Sequence, residues 1–141
     1  MNALSAPPSI RDAEEPKLEA IIELMFLAAF ADGDFVEDER VHFVQSIESL
    51  TDRRIAGATL GRLVTRIVGD LEAHGRAARL ASLKERIDDH GARKAALGLA
   101  IQITAADGII RTSERELILQ AAEALDIDRD EAADLVTSLT R

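Results

Sequence analysis

The sequence predicts an all-α fold, a compact bundle of about seven helices that contains two pseudo-symmetric helix–turn–helix repeats. Apolar residues recur at intervals of three and four along most of the chain, which places them on one face of a helix. No stretch alternates cleanly between apolar and polar residues, so no sheet is expected. A chain of 141 residues, 47% of them apolar, is expected to form one domain. Residues 1–16 are predicted to be a flexible arm and residues 17–141 the helical domain.

Four helices are predicted in the first two-thirds of the chain, over residues 18–31, 37–50, 55–73 and 77–89. Each carries an apolar stripe with helical spacing. The stripe residues are Ile21, Leu24, Met25 and Ala28 in the first helix, Val41, Val44 and Ile47 in the second (with Phe43 as a further candidate), Leu60, Leu63, Val64, Ile67, Val68 and Leu71 in the third, and Leu80, Leu83 and Ile87 in the fourth. Residues 51–52 (Thr-Asp) offer a cap before the third helix. The His-Gly pairs at 74–75 and 90–91 predict where the third and fourth helices end.

Three further helices are predicted in the last third of the chain. A long apolar helix covers residues 92–106, and the next helix runs to Leu125 with Thr112 or Ser113 as its cap. Asp128, followed three residues later by Glu131, has the spacing of a capping box and begins a last helix that reaches about residue 140.

One segment of the chain occurs twice. Residues 24–50 align without a gap with residues 99–125, at an offset of 75 positions, and nine of the 27 aligned positions are identical. The identities include an Asp-Gly pair and, after five further residues, a Glu-Arg pair. Two copies of one such unit are expected to pack as a pseudo-symmetric pair, with the intervening helices completing the bundle.

The two D-G-x5-E loops raise the question of a metal site. Glycine followed after five residues by glutamate matches the second half of an EF-hand calcium loop, whose first half needs oxygen ligands four and two residues before the aspartate. Those positions hold Ala28 and Phe30 in the first copy, and Ile103 and Ala105 in the second. An EF-hand is therefore not expected.

Two interpretations of the loops remain. In one, the loops only connect helices: the aspartates bond turn amides, and Glu39 and Glu114 accept the orphan N–H groups of the following helix. In the other, the carboxylates bind a divalent cation such as Ca²⁺ or Mg²⁺, which prefers oxygen ligands. The candidate ligands are Asp32, Asp34, Glu37, Glu39, Asp107 and Glu114. A single site biased toward the first loop is favoured, because residues 109–111 (Ile-Ile-Arg) leave the second loop poorer in carboxylates.

The segments AFADGDFVEDER and TAADGIIRTSER, each joining two helices, resemble the TerB-like domain of tellurite-resistance proteins. The resemblance covers about residues 18–140, including the basic middle helices and the final LDIDRDEA segment. It implies a compact helical bundle in a bacterial tellurite-resistance or stress-response system. It also implies a binding or scaffold module that takes a metal through acidic residues and has no established catalytic activity. The motif residues that match are Asp32, Glu39, Asp107 and Glu114, while Asp34 and Glu37 are extra acids of this chain.

Charge is distributed unevenly and limits the classes of partner. The net charge is −9, with −8 in residues 1–50, +4 in residues 51–94 and −5 in residues 95–141. The acidic ends argue against nucleic-acid binding, and a chain without Trp or Tyr lacks the usual base-stacking platforms. The basic middle is expected to pair with the acidic flanks, within the chain or in a second copy, which leaves a homo-oligomer open. A basic stripe is the candidate surface for an acidic protein partner, and it consists of Arg53, Arg54, Arg62 and Arg66.

No catalytic motif is found. His42, His74 and His90 lack zinc-ligand spacing, and neither a nucleophile elbow nor a phosphate loop occurs. The chain has no cysteine, no signal-peptide pattern and no apolar run as long as a membrane span, which fits the cytoplasm. We therefore predict a non-enzymatic, cation-responsive helical module with an unidentified protein partner. The alternatives are a metal-free scaffold for protein–protein interaction and, ranked last, a metal-dependent hydrolase.

Overall fold

The computed structural model describes residues 14–32, 37–105 and 110–139, which form seven helices and no strand. The helices are α1 (Glu15–Ala29), α2 (Glu37–Leu50), α3 (Gly57–His74), α4 (Arg76–Arg86), α5 (His90–Thr104), α6 (Thr112–Ala124) and α7 (Arg129–Leu139). The all-α prediction is confirmed, and the predicted helix ends agree with the observed ones to within three residues. Across the described ranges, every helix is too short or too polar to cross a membrane.

The first helix begins earlier than predicted. α1 starts at Glu15, inside the segment predicted to be an arm, and Pro16 lies in its first turn. Proline is tolerated there because the amide it lacks would have no partner within the helix. Residues 1–13 lie outside the described part of the chain.

α1 is the central helix of the bundle. Ten of its 15 residues are buried, so its apolar surface extends round the whole circumference rather than along one face. It packs chiefly against α5 and also contacts α2, α3, α4 and α6. A helix that is apolar all round must lie inside the protein. The run of apolar residues from Leu18 to Ala28 therefore places α1 in the core.

One charged side chain lies in this core. Glu23 of α1 is only 1% exposed. Arg79 of α4 donates to it twice, from Nε to Oε2 at 2.7 Å and from Nη2 to Oε1 at 2.9 Å, and Arg86 also donates to Oε1. Burial raises the pKa of Glu23, but the two guanidinium groups outweigh it and hold the pKa below its ordinary value. This network ties α4 to the central helix.

Ion pairs within the chain join its basic middle to its acidic flanks, one of the two arrangements that the charge distribution allows. Besides the Glu23 network, the pairs include Arg66–Glu19 at 2.7 Å, Lys84–Asp126 at 2.7 Å, Lys94–Glu131 at 3.1 Å and Arg53–Glu48 at 3.4 Å. A second copy of the chain is therefore not needed to neutralise these basic residues.

The two His-Gly pairs play different roles. Gly75 joins α3 to α4 with φ of +84°, which favours glycine, and the predicted stop there is confirmed. The predicted stop at the second pair is wrong, because His90 and Gly91 begin α5. Asp89 caps this helix: its carboxylate accepts the N–H of Gly91 at 3.2 Å and of Ala92 at 3.1 Å.

The start of α3 is also capped differently from the prediction. The carboxylate of Glu48, at the end of α2, accepts the N–H of Gly57 at 2.8 Å. The hydroxyl of Thr51 instead donates to the carbonyl of Ile47, at 2.8 Å. A long side chain from the preceding helix thus supplies the cap that residues 51–52 were expected to supply.

α2 turns the predicted face to the core except at Val41, since Val44 also packs against the core. Val41 is 49% exposed, so its predicted inward position is wrong, whereas Phe43 and Ile47 are buried. Phe43 packs edge-on against Phe26 of α1, with ring centroids 5.5 Å apart. Phe43 therefore holds α2 against the central helix.

The sequence repeat is reproduced in the helix bounds. α1 ends at Ala29 and α5 at Thr104, while α2 begins at Glu37 and α6 at Thr112, so both pairs differ by the sequence offset of 75. α1 and α5 lie against each other in the core. The two repeats therefore bring their loop-bearing ends into one region of the bundle.

Candidate functional site

A pocket of about 530 Å³ lies where the two repeats meet. It is bordered by the end of α1, the length of α2, the last turn of α5 and the first turn of α6. Its lining residues are Ala29, Phe30, Asp38, Glu39, His42, Phe43, Ser46, Ser49, Leu50, Gln102, Ile103, Thr104 and Glu114. We refer to this pocket as the α2 groove, since α2 supplies most of its lining.

The floor of the α2 groove is aromatic. Phe30 and Phe43 line it, and together with Phe26 they form a cluster whose ring centroids are 4.7 to 5.7 Å apart. Phe30 and Phe43 are at most 8% exposed, so they close the groove from below rather than project into solvent. Such tilted and edge-to-face pairs stabilise each other beyond the apolar area that they bury. The floor of the groove is therefore formed by core residues that pack against one another.

Three carboxylates line the α2 groove, and the end at the start of α2, which carries two of them, is its acidic end. Glu39 and Glu114, which occupy equivalent positions in the two repeats, both line the groove, together with Asp38. Each lies in the first turn of a helix, α2 or α6, where a carboxylate is favoured by the helix dipole. The sequence repeat thus places its shared glutamates on one pocket.

The capping interpretation holds for one of these glutamates. Oε1 of Glu114 accepts the backbone N–H of Arg111 at 2.8 Å, and the Arg111 guanidinium lies 4.0 Å from the same oxygen. Glu114, rather than Thr112 or Ser113, therefore satisfies the start of α6.

The structure describes only part of the predicted cation site. Asp32 is exposed just after α1, and Glu39 is exposed in α2. Asp34 and Asp107 lie outside the described residues, and only the backbone of Glu37 is described. In the described ranges, no three or more His, Asp or Glu side chains are arranged so that they could hold a metal ion. The cation site remains a prediction.

The histidines fall in three different places. His42 lines the α2 groove near its acidic end, whereas His74 is exposed at the end of α3. Nε2 of His90 lies 3.5 Å from Glu131, at the start of α5 rather than at a helix C-terminus. The structure therefore separates the three rings, and only His42 belongs to the candidate site.

The predicted arginine stripe is exposed and partly engaged within the chain. Arg66 donates to Glu19 at 2.7 Å, Arg53 to Glu48 at 3.4 Å, and Arg62 to Thr59 Oγ1 at 3.4 Å. Arg54 is also exposed. These contacts make the stripe a weaker candidate surface for an acidic partner than its sequence suggests, and that role stays a prediction.

Sequence reasoning missed the α2 groove and the Glu23 network. A signal for the network existed, since Glu23 interrupts an otherwise apolar run, but its partners lie 56 and 63 residues further along. The groove had a fainter signal. The positions of α2 that line it mix serine, histidine and acids with Phe43 and Leu50, so no apolar stripe marks it.

Comparisons with known proteins bear on most of the chain. A family model described as tellurite resistance protein TerB matches residues 19–136. This range covers most of α1 and runs into α7, and it includes both repeats. No curated protein and no solved structure matches the chain.

Proposed function

Because the chain belongs to the tellurite resistance protein TerB family, we propose that it is a non-enzymatic binding module of a bacterial tellurite-resistance or stress-response system. In this proposal the module is cytoplasmic and binds a divalent cation at the acidic end of the α2 groove. The observation that carries the proposal is the convergence of Glu39 and Glu114 from the two repeats on one pocket.

The chemistry of the donors supports a hard cation. The candidate ligands are carboxylates, and carboxylate oxygens favour Ca²⁺, Mg²⁺ or Mn²⁺ over metals that prefer sulfur or imidazole. Oε1 of Glu114 is engaged with the Arg111 amide. A cation would therefore bind chiefly to the first repeat, through Asp32, Asp34, Glu37 and Glu39, with Asp107 and Glu114 supplying further oxygen.

The test is a titration of the metal-free protein with Ca²⁺, Mg²⁺, Mn²⁺ and Zn²⁺, followed by backbone amide NMR shifts. We expect saturable shifts centred on residues 32–39, lost in Asp32→Ala and weakened in Asp107→Ala and Glu39→Gln. Glu123→Gln is the matched control, because Glu123 is exposed at the far end of α6 and does not line the groove. No saturable shift up to about 1 mM cation would contradict the proposal.

Two alternatives make different predictions in the same experiments. A metal-free interaction scaffold would show no cation response, and its carboxylates would serve as helix caps, as Glu114 does. A metal-dependent hydrolase would hydrolyse phosphoesters with Mg²⁺ or Mn²⁺ and lose this activity in Asp32→Ala. The all-helical fold and the TerB family support the absence of catalysis, so we rank the hydrolase last.

A further inference from the structure

The α2 groove is long, and one face of α2 lines it from end to end. The lining positions 38, 39, 42, 43, 46, 49 and 50 recur at helical spacing. From Asp38 to Leu50, at 1.5 Å per residue, this stripe is about 18 Å long, which corresponds to about three turns of a second helix. The opposite wall is built from the ends of α1 and α5 and the start of α6. The α2 groove therefore forms a trough along about three turns of α2.

The side chains in the trough leave apolar surface uncovered. Leu50 and Ile103 are only partly buried, although both pack against the core, and they line the groove on opposite sides. Phe30 and Phe43 also line it, as its floor. Apolar surface in a concave site of this length is typical of a groove that receives the apolar face of an amphipathic helix.

The charged side chains that line the trough are carboxylates, and two of the three lie at the start of α2. Asp38 and Glu39 lie in the first turn of α2, and Glu114 lies in the first turn of α6, where the Arg111 guanidinium is 4.0 Å from it. No lysine or arginine is among the described lining residues. A ligand that fits this surface carries positive charge at one end.

We propose that the α2 groove binds a basic amphipathic helical segment of a partner protein. Its apolar side chains lie along Phe43, Leu50 and Ile103, and its lysines or arginines meet Asp38 and Glu39 at the acidic end. The apolar contacts supply the affinity, while the carboxylates fix the direction of the segment and reject acidic competitors. The proposed docking goes beyond cation binding and does not require it.

The experiment measures binding of defined probe peptides to the full chain by fluorescence anisotropy. The first probe is a labelled helical peptide of about 18 residues, with leucine at helical spacing on one face and lysine on the other. The second replaces each lysine by glutamate, and the third scrambles the first so that no apolar face forms. We expect saturable binding of the first probe and binding at least about tenfold weaker for the other two.

A pair of neighbouring substitutions locates the binding. Ser46 lines the middle of the groove and is half-buried, whereas Gln45 is exposed on the same helix and does not line it. Ser46→Arg and Gln45→Arg change the net charge equally, but only the first obstructs the trough. We expect Ser46→Arg to weaken binding at least about tenfold and Gln45→Arg to change it less than about twofold. Circular dichroism checks that both variants are folded.

The design separates this proposal from the cation site. All titrations are run once with EDTA and once with Ca²⁺, and binding in EDTA supports docking whether or not a cation binds. Equal binding of the scrambled probe, equal effects of the two arginine substitutions, or no binding up to about 1 mM peptide would each overturn the proposal. A self-association that sedimentation detects and that Ser46→Arg abolishes would make a second copy the occupant, which also overturns it.

Discussion

Replacing Glu23 with glutamine tests how far the buried ion network stabilises the fold. Glutamine keeps the size of the side chain and one acceptor oxygen, so no cavity forms and the main change is the lost charge. Arg86 would then face a neutral partner, and Arg79 would keep only Asp70, at 3.7 Å, as a charged one. Both arginines would remain mostly buried, since the side chains of Arg79 and Arg86 are 16% and 27% exposed. Breaking a fully buried pair destabilises a protein by about 3–5 kcal/mol. The partial exposure of both arginines places this case near the lower value, at about 3 kcal/mol.

Urea denaturation followed by far-ultraviolet circular dichroism measures this change, since the chain has no tryptophan to report by fluorescence. For a denaturant slope of about 2 kcal/mol per molar, the midpoint should fall by about 1.5 M with an unchanged slope. The matched control is Glu19→Gln, one turn earlier on α1, whose pair with Arg66 is exposed by 29% and 53%. A surface pair of this kind contributes at most about 1 kcal/mol. Equal midpoints for the two variants would refute the reasoning.

Three further predictions concern pH, backbone and packing. The pKa of Glu23 is lowered in the folded state, so its contribution to stability is present above the unfolded pKa near 4.5 and is lost as pH falls through the folded pKa. The difference in unfolding free energy between wild type and Glu23→Gln, measured by urea titration, should therefore shrink below about pH 4.5. A difference that stays constant with pH would contradict this. Gly75→Ala should destabilise the fold by about 1–2 kcal/mol, because φ at this position is +84°, even though an added Cβ would meet nothing within 4 Å. The control Gly69→Ala lies in mid-helix with the same open space and should stabilise the fold by about 0.5–1 kcal/mol. Thermal melts in which both variants shift the melting temperature in the same direction would count against this. Val41→Lys should leave the melting temperature nearly unchanged while Phe43→Lys unfolds the chain, and the reverse order would show that α2 is rotated from its described position.

The helices could be predicted from sequence because their signal is local. Apolar spacing, glycine and capping residues act within a few positions, so the bounds of α2 agree at both ends. The error at His90 and Gly91 has the same origin. A glycine after a helical run commonly marks an end, but here Asp89 stands in front of it and caps a new helix. The glycine predicted a helix end and the aspartate predicted a helix start, and the structure shows that the cap at Asp89 determines the boundary.

The outward position of Val41 in α2 could have been predicted from the sequence repeat. Val41 aligns with Glu116, a polar residue that is exposed in α6, while Phe43 aligns with Ile118, which is buried. Equivalent positions of two packed repeats share an environment, so the second copy indicates that Val41 faces outward. Apolar spacing within α2 alone could not show this, because the positions of Val41 and Phe43 both fit a helical period.

The candidate site was harder to predict, because its parts come from distant segments. The repeat identified Glu39 and Glu114 as equivalent, but their common pocket depends on the packing of α1 against α5. The apolar trough depends on the same packing and on the side-chain burial of Leu50 and Ile103. The relative positions of these helix ends depend on tertiary contacts, which cannot be predicted from the residue pattern of any single short segment.

The central position of α1 also has a consequence for the order of folding. Its main packing partner, α5, ends 75 residues later in the chain. At a synthesis rate of about 5–20 residues per second, α1 would wait about 4–15 s on the ribosome before that partner is complete. During this interval only α2, α3 and α4 can pack against α1, so the apolar surface that α5 buries has nothing to cover it. Chaperones that hold apolar segments would therefore meet this chain early, at α1, and release it only when the second repeat closes the core.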